Sequence, residues 1–310
     1  MGSILALGEG MVELKMNDGK LEHKFAGDTL NAAIYAKRWA PELDIYFYSA
    51  VGSDLFSEQM LAYLGTEDIG TDAMLTTDLA NIGIYAIQTD ETGERSFTYW
   101  RKDSAATRMV ELLTSAGGTD KLPKADCIFL SGISLGILSD ENKKTLFEML
   151  TKLKSAGAKI AFDPNFRPRM WRNTEHAVEW IVKAYQLADI ALPGLDEHED
   201  IFGHKTVEDV RDFMQSHQVN EFVIKAGKAG VYAFSGQEEC HIPFNPAPKQ
   251  VDSTAAGDSF AGTYLASRVA GSSLVNSIKN ADSVAREVVQ HSGAIIDKQL
   301  YQQTFNANNK

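Results

Sequence analysis

The sequence predicts an α/β protein: a mainly parallel sheet with helices on both faces and a small β-sheet lid. Two observations lead there. Short apolar segments alternate with longer helical patterns along most of the chain, and two regions break that alternation with hairpin chemistry. No internal repeat or low-complexity linker divides the 310 residues, so one domain spanning 1–310 is expected, its lid formed by about 11–26 and 82–103 inserted in the core.

The alternating segments are ILALG followed by a helix over Asp28 to Trp39, IYFYSAVG by Leu55 to Leu64, and CIFLSG by Glu141 to Lys154. KIAFD then precedes Glu175 to Leu187, and DIALP precedes Val207 to His217. EFVIKAG and VYAFSG are separated only by a glycine-containing turn, and two closing helices follow, about Ala255 to Val269 and Leu274 to His291. The C-terminal YQQTFNANNK reads as a polar, frayed tail. Met11 to Phe25 reads as two strands around Asn17-Asp18-Gly19, and Ile82 to Trp100 as two more around Asp90-Glu91-Thr92-Gly93. An antiparallel sheet inserted at the ends of core strands can cover a ligand crevice.

Composition excludes several classes. A net charge of -12 without a long basic run lacks the electrostatic footprint of a nucleic-acid or anionic-membrane binder. The apolar run Ile4 to Leu7 is too short for a signal-peptide core and no later stretch could span a membrane, so the expected location is cytoplasmic. Two cysteines, of which Cys127 reads as a buried strand residue, make no disulfide framework, and no His-Glu-x-x-His or Cys-x-x-Cys supports a zinc site.

The stretch VDSTAAGDSF (Val251–Phe260) carries most of the chemistry. Asp252, Ser253 or Thr254 can cap the helix that follows. Asp258 lies a turn further in, where capping does not explain it. Ala255, Ala256 and Gly257 have little or no side chain, so their amides can approach a ligand and form an anion hole for a phosphoryl group. A carboxylate beside a phosphate is costly unless it takes the proton of an attacking hydroxyl, and Asp258 is the candidate base. A Walker loop is missing, because neither Gly19-Lys20-Leu21 nor Gly227-Lys228-Ala229 supplies the required Ser or Thr. Lys225-Ala-Gly-Lys-Ala-Gly230 runs into a strand and lacks the third glycine of a dinucleotide fingerprint.

Asp252-Ser-Thr-Ala-Ala-Gly-Asp258 resembles the C-terminal signature Asp-Thr-x-Gly-Ala-Gly-Asp of the ribokinase-like carbohydrate kinases of the phosphofructokinase B group. Gly27-Asp-Thr-Leu-Asn31 is similar to their substrate loop, Asp163-Pro-Asn-Phe-Arg167 to their central motif, and Lys225–Gly230 to their nucleotide-side turn. The resemblance implies a ribokinase-like three-layer sandwich with a β lid, and a reaction using ATP and a divalent ion, usually Mg2+. It assigns Lys225, Gly227, Gly230, Ser253, Ala256 and Gly257 to ATP, and Gly27, Asp28, Asn31 and Asp258 to the sugar. Ala26 and Ala255 stand where the family has glycine, and Gly194-Leu-Asp-Glu197 keeps only the glutamate of an Asn-x-x-Glu motif, leaving Glu197 as a metal contact through water.

The lid segment Arg95-Ser-Phe-Thr-Tyr-Trp-Arg101 puts Tyr99 and Arg101 on one side of a strand, with Tyr85 on its neighbour. That combination suits a polyhydroxy chain ending in a carboxylate, although edge strands also carry solvated arginines. Tyr85, Tyr99, Arg101 and Arg167 resemble the substrate residues of 2-keto-3-deoxygluconate kinases. The resemblance thus implies a sugar acid and ATP as the small-molecule partners, with no nucleic acid or membrane. A kinase for fructose or a related ketose, or a sensor of sugar or nucleotide, are the alternatives. An exposed apolar lid face would favour a homo-oligomer, such as a dimer through the lid.

Overall fold

The computed structural model describes residues 2–17, 19–89 and 95–306. β1 (Ser3–Leu7) leads into β2 (Met11–Asn17) and β3 (Lys20–Ala26), then α1 (Asp28–Trp39), β4 (Asp44–Val51), α2 (Leu55–Thr66) and β5 (Met74–Thr76). A second hairpin, β6 (Gly83–Thr89) and β7 (Arg95–Trp100), precedes α3 (Met109–Ala116), β8 (Cys127–Ser131), α4 (Gly132–Gly136), α5 (Asp140–Ser155) and β9 (Lys159–Asp163). Next come α6 (Thr174–Leu187), β10 (Ile190–Ala191), α7 (Leu195–Phe202) and α8 (Val207–Ser216). The last third holds β11 (Glu221–Lys225), β12 (Val231–Ser235), β13 (Glu238–Ile242), α9 (Ala256–Val269), α10 (Leu274–Val288) and α11 (Lys298–Asn306).

One large sheet runs β13-β12-β11-β10-β9-β8-β1-β4-β5, parallel from β5 to β11 and antiparallel at the β12 and β13 edge. β1 shows why this chain needs helices on both sides. Ile4 and Ala6 pack into the core shared with α1 and α9, while Leu5 and Leu7 pack into the opposite core with α3, α5 and α6. A strand apolar at every position must be covered twice.

β2, β3, β6 and β7 form a separate four-stranded sheet in the order β3-β2-β6-β7. Its strands match both expected hairpins, whose tips at Asp18 and at Asp90–Gly93 lie outside the described residues. At its base Met11, Ala26, Tyr85 and Ile87 cluster with Ala294. Met16, Leu21 and Trp100 stay largely exposed on it, the apolar surface expected of the lid. No helix among the described residues is long and apolar enough to cross a membrane, and Cys127 is buried in β8 as its strand pattern predicts.

The expected frayed tail needs correction, because Tyr301 to Asn306 belongs to α11. Tyr301 and Phe305, one turn apart, share a face of the helix; Tyr301 is 1% exposed and packs on Tyr35, and Phe305 meets Trp39. Polar composition hid an amphipathic pair. Tyr301→Ala should cost roughly 3 kcal/mol of stability, the usual scale for deleting a buried aromatic ring. The exposed neighbour Gln302 should tolerate alanine within about 0.5 kcal/mol. Denaturant midpoints of the two variants measure the difference.

Candidate active site

The residues singled out by sequence meet at the carboxyl ends of the parallel strands, beside β1, where the chain departs to β4 on one side and β8 lies on the other. Open α/β sheets bind ligands at such a point. Asp258, in the first turn of α9, accepts a hydrogen bond from Asn31 Nδ2 on α1 at 2.8 Å. Asn31 is itself held by the substrate loop, since Gly27 N donates to Asn31 Oδ1 at 3.3 Å and Asn31 N donates to Gly27 O at 2.7 Å. Gly27 must be glycine for want of space: a Cβ there would lie 2.0 Å from the Glu9 carbonyl oxygen.

A chain of polar contacts continues from α1. Asn165 Nδ2 donates to Asp28 Oδ2 at 2.8 Å, Asn165 N donates to Asp163 Oδ1 at 3.0 Å, and Lys225 Nζ pairs with Asp163 Oδ2 at 2.7 Å. Glu197 accepts from Phe166 N at 2.9 Å and Gly194 N at 3.0 Å, so both its oxygens hold backbone. Arg167 is exposed, with Nη1 donating to the Phe166 carbonyl at 2.9 Å. Asp28, Asp163, Glu197 and Asp258 thus outnumber the cations Lys225 and Arg167. Burial pushes the Asp258 carboxyl up to about 7; repulsion from Asp28 and Asp163 adds to the rise, against the Asn31 bond and the Arg167 charge. Burial also raises Glu197, with Lys225 opposing. For Lys225, burial favours the neutral amine, but Asp163 and Glu197 outweigh it and the net shift is upward.

α2, α5, α6, α8 and α10 are capped by Asp54, Ser139, Asn173, Thr206 and Ser273. α9 has no side-chain cap, so the expected capping by Asp252, Ser253 or Thr254 does not occur. Asp252 turns away, accepting from Thr254 N at 2.9 Å and Gly293 N at 2.7 Å, which ties this segment to the chain after α10. Ser253 is exposed and its carbonyl accepts from Ala256 N at 3.3 Å. Ala255 precedes the helix at φ 60°, the left-handed region that glycine occupies without strain. A Cβ on Gly257 would meet no protein atom within 4 Å. The Ala256 amide is thus engaged within the turn, and the Gly257 amide beside it is the one left open to an anion. In the nucleotide-side turn Gly227 and Gly230 both have positive φ, and a Cβ on Gly230 would lie 2.2 Å from Ile242 O.

On the lid, Tyr85 pairs with Tyr99 across β6 and β7, their rings 5.8 Å apart, and the Arg101 guanidinium lies 5.8 Å from the Tyr99 ring centre. Neither Tyr85 nor Arg101 is without protein partners. The Tyr85 hydroxyl donates to buried Glu13, and burial together with that carboxylate holds the phenol well above its usual pKa. Arg101 pairs with Glu9, which also accepts from Ser104 Oγ.

A protein-family comparison agrees with this arrangement: residues 3–299 match the pfkB family carbohydrate kinases. The chain belongs to that family. It is 37% identical to a 2-dehydro-3-deoxygluconokinase of Dickeya dadantii, over 95% of this chain and 96% of that one. It is 36% identical to the protein of that name from Escherichia coli K12, over 96% and 97%. Among solved structures, a putative ribokinase II from E. coli in complex with ATP and Mg2+ superposes with a TM-score of 0.81 at 20% identity, covering 99% of this chain and 100% of the other. This pfkB-family protein is a carbohydrate kinase with the ribokinase-like fold.

Sequence reasoning missed the partners of the residues it chose. Asp163 and Asn165 lay inside a recognised motif without a role. Glu13, inside lid strand β2, carried no such signal; Glu9, between Gly8 and Gly10 just past β1, carried a readable one, a carboxylate at the end of a core strand.

The raised pKa of Asp258 has a stability consequence. Below about 3.8 the carboxyl is protonated in folded and unfolded chains alike; as pH rises to about 7, folding loses the preference of the native state for the proton. Asp258→Asn should therefore melt above the wild type at pH 8, with the gain shrinking steadily toward pH 4. Paired thermal scans at the two pH values measure it, and an equal offset at both would remove the buried-carboxyl explanation.

Proposed function

We propose that this kinase transfers the γ-phosphoryl group of ATP to the terminal hydroxyl of 2-keto-3-deoxy-D-gluconate, yielding 2-keto-3-deoxy-6-phosphogluconate. The observation that carries the transfer chemistry is Asp258: a carboxyl held by Asn31 at the uncapped start of a helix, with a pKa of about 7. Asp258 accepts the proton of the sugar hydroxyl, whose oxygen attacks the γ-phosphorus as the bond to ADP breaks. The amide of Gly257, set by the turn at Ala255, receives the charge on the transferred group, joined by that of Ala256 once it leaves the Ser253 carbonyl. Gly27, Asp28 and Asn31 hold the hydroxyl end of the sugar. Lys225, Gly227, Gly230 and Ser253 form the ATP side.

The donor set fits Mg2+ as an ion carried on the phosphates. Among the described residues no three His, Cys, Asp or Glu side chains gather to hold a cation, and both Glu197 oxygens are engaged. Glu197, whose own oxygens are engaged, would hold such an ion indirectly, through a water. When bound it supplies charge neutralisation, which a cleft richer in carboxylates than cations needs.

The sugar-acid choice rests on Tyr85, Tyr99, Arg101 and Arg167, and on the two relatives named for that substrate. The pairing of Arg101 with Glu9 gives a kinase for fructose or another neutral ketose its footing, since part of the arginine charge is already matched. An ADP-release assay over sugar acids and neutral ketoses separates the readings. Turnover should favour 2-keto-3-deoxygluconate, and Arg101→Ala should raise its KM roughly ten- to a hundredfold, the worth of a charge-assisted pair, with little change in the KM for ATP. Preference for fructose, or equal losses on acid and neutral sugars, removes the carboxylate role.

Asp258→Asn should lower kcat roughly 10²–10⁴-fold. Since the base must be ionised, kcat/KM of the wild type should climb with pH and level off above about 7. Asp28→Asn removes the larger of the two repulsions on Asp258 and should move that limb to lower pH. A limb that stays in place would dissociate it from Asp258.

A further inference from the structure

Glu9 has no place in the phosphoryl-transfer chemistry, yet it is 1% exposed at the junction of the core and the lid. The backbone around it is pared down to accommodate it. A Cβ on Gly83 would lie 2.5 Å from Glu9 Oε1, and one on Gly27 would lie 2.0 Å from its carbonyl oxygen. One carboxylate oxygen accepts from Ser104 Oγ; the other meets Arg101 Nη2 at the end of β7. A buried carboxylate is retained only where it is paired. Solvating an arginine would not need one, and the Arg101 side chain is only 15% exposed. Nη2 of Arg101 is taken up by Glu9, whereas Nε makes no hydrogen bond among the described residues, so Glu9 holds the guanidinium and leaves it a donor for a further acceptor.

We propose that Glu9 is the positioning residue for Arg101, and that by ordering the guanidinium before sugar arrives it sets the preference for the acid end of the substrate. The proposal rests on the sugar-acid reading of Arg101. An arginine free in solvent gives up rotamer freedom on binding, whereas one already held does so at folding. Glu9 follows β1 in the rigid core and Arg101 closes the lid strand, so the pair also fixes where the lid presents its charge. Ser104 in turn fixes the Glu9 carboxylate.

The test is a double-mutant cycle on purified enzyme, with thermal melting to verify folding. Glu9→Gln keeps the shape and an acceptor for Ser104. It should raise the KM for 2-keto-3-deoxygluconate about tenfold while kcat and the KM for ATP stay within about twofold, and it should have less than about a twofold effect in an Arg101→Ala background. Ser104→Ala leaves both charges in place and should act in the same direction by about threefold, which keeps the proposal testable if Glu9→Gln folds poorly. Equal effects of Glu9→Gln with and without Arg101, a fall in kcat with a rise in the KM for ATP, or a lower KM for the acid would each overturn it. Wild-type preference for fructose sinks the sugar-acid reading itself; acid turnover without Glu9–Arg101 coupling sinks this inference alone.

Discussion

The hydrogen bond from Asn31 to Asp258 joins residues 227 apart in sequence, and the rest of the site is arranged around it. It forms only because α1 and α9 pack side by side on one face of the sheet. Gly262 permits that approach, since a Cβ there would lie 2.0 Å from the Ala32 carbonyl oxygen. The bond favours the ionised carboxylate, while burial and Asp28 favour the neutral acid, and these leave the group near 7. A base poised there can take a proton and give it back.

Charge balance is the second constraint. Carboxylates from the ends of β9, α1, α7 and α9 converge with fewer cations among them, an arrangement that costs stability in the empty protein. Fixed hydrogen bonds keep most of them in place: Asp28 through Asn165, Asp163 through Lys225, Glu197 through two backbone amides. Asp258 alone combines a single described hydrogen-bond donor with a strongly raised pKa. The other carboxylates are thereby held by fixed partners, and Asp258 stands out among them, in keeping with perturbed titration marking candidate functional positions.

The lid is a sheet too small to stand alone, and it borrows its stability from the body. Met11, Ala26, Tyr85 and Ile87 close on Ala294, and the buried pair of Glu9 with Arg101 fastens it at its root, while Glu13 and Tyr85 tie β2 to β6 within the sheet. Across the sheet exposure changes sharply: Tyr85 on the inner strand β6 is 7% exposed, and its partner Tyr99 on the edge strand β7 is 51% exposed. The sheet thus buries one aromatic at its inner strand and leaves its partner on the edge exposed.

Periodicity and turn chemistry in the sequence determined the α/β class, most strands and helices of the core though not β5, β13, α3, α4, α7 or α11, and both lid hairpins, because these depend on which residues repeat at two or 3.6 positions. Resemblance of four ordered motifs to a known family pointed to a carbohydrate kinase and to Gly27, Asn31, Arg167, Lys225 and Asp258 as candidates for one site. Only the tertiary structure decided what those residues touch. Arg101 read as a free cation because its partner Glu9 lies 92 positions earlier, on a segment brought close by lid and core together. Asp252 read as a cap because local sequence cannot show that Gly293 competes for its carboxylate. The tail read as frayed because the faces of Tyr35 and Trp39 that bury it come from the first helix of the chain. Local pattern reports the energy a segment can gain by itself; partners distant in sequence set the rest, and charge and burial act through space.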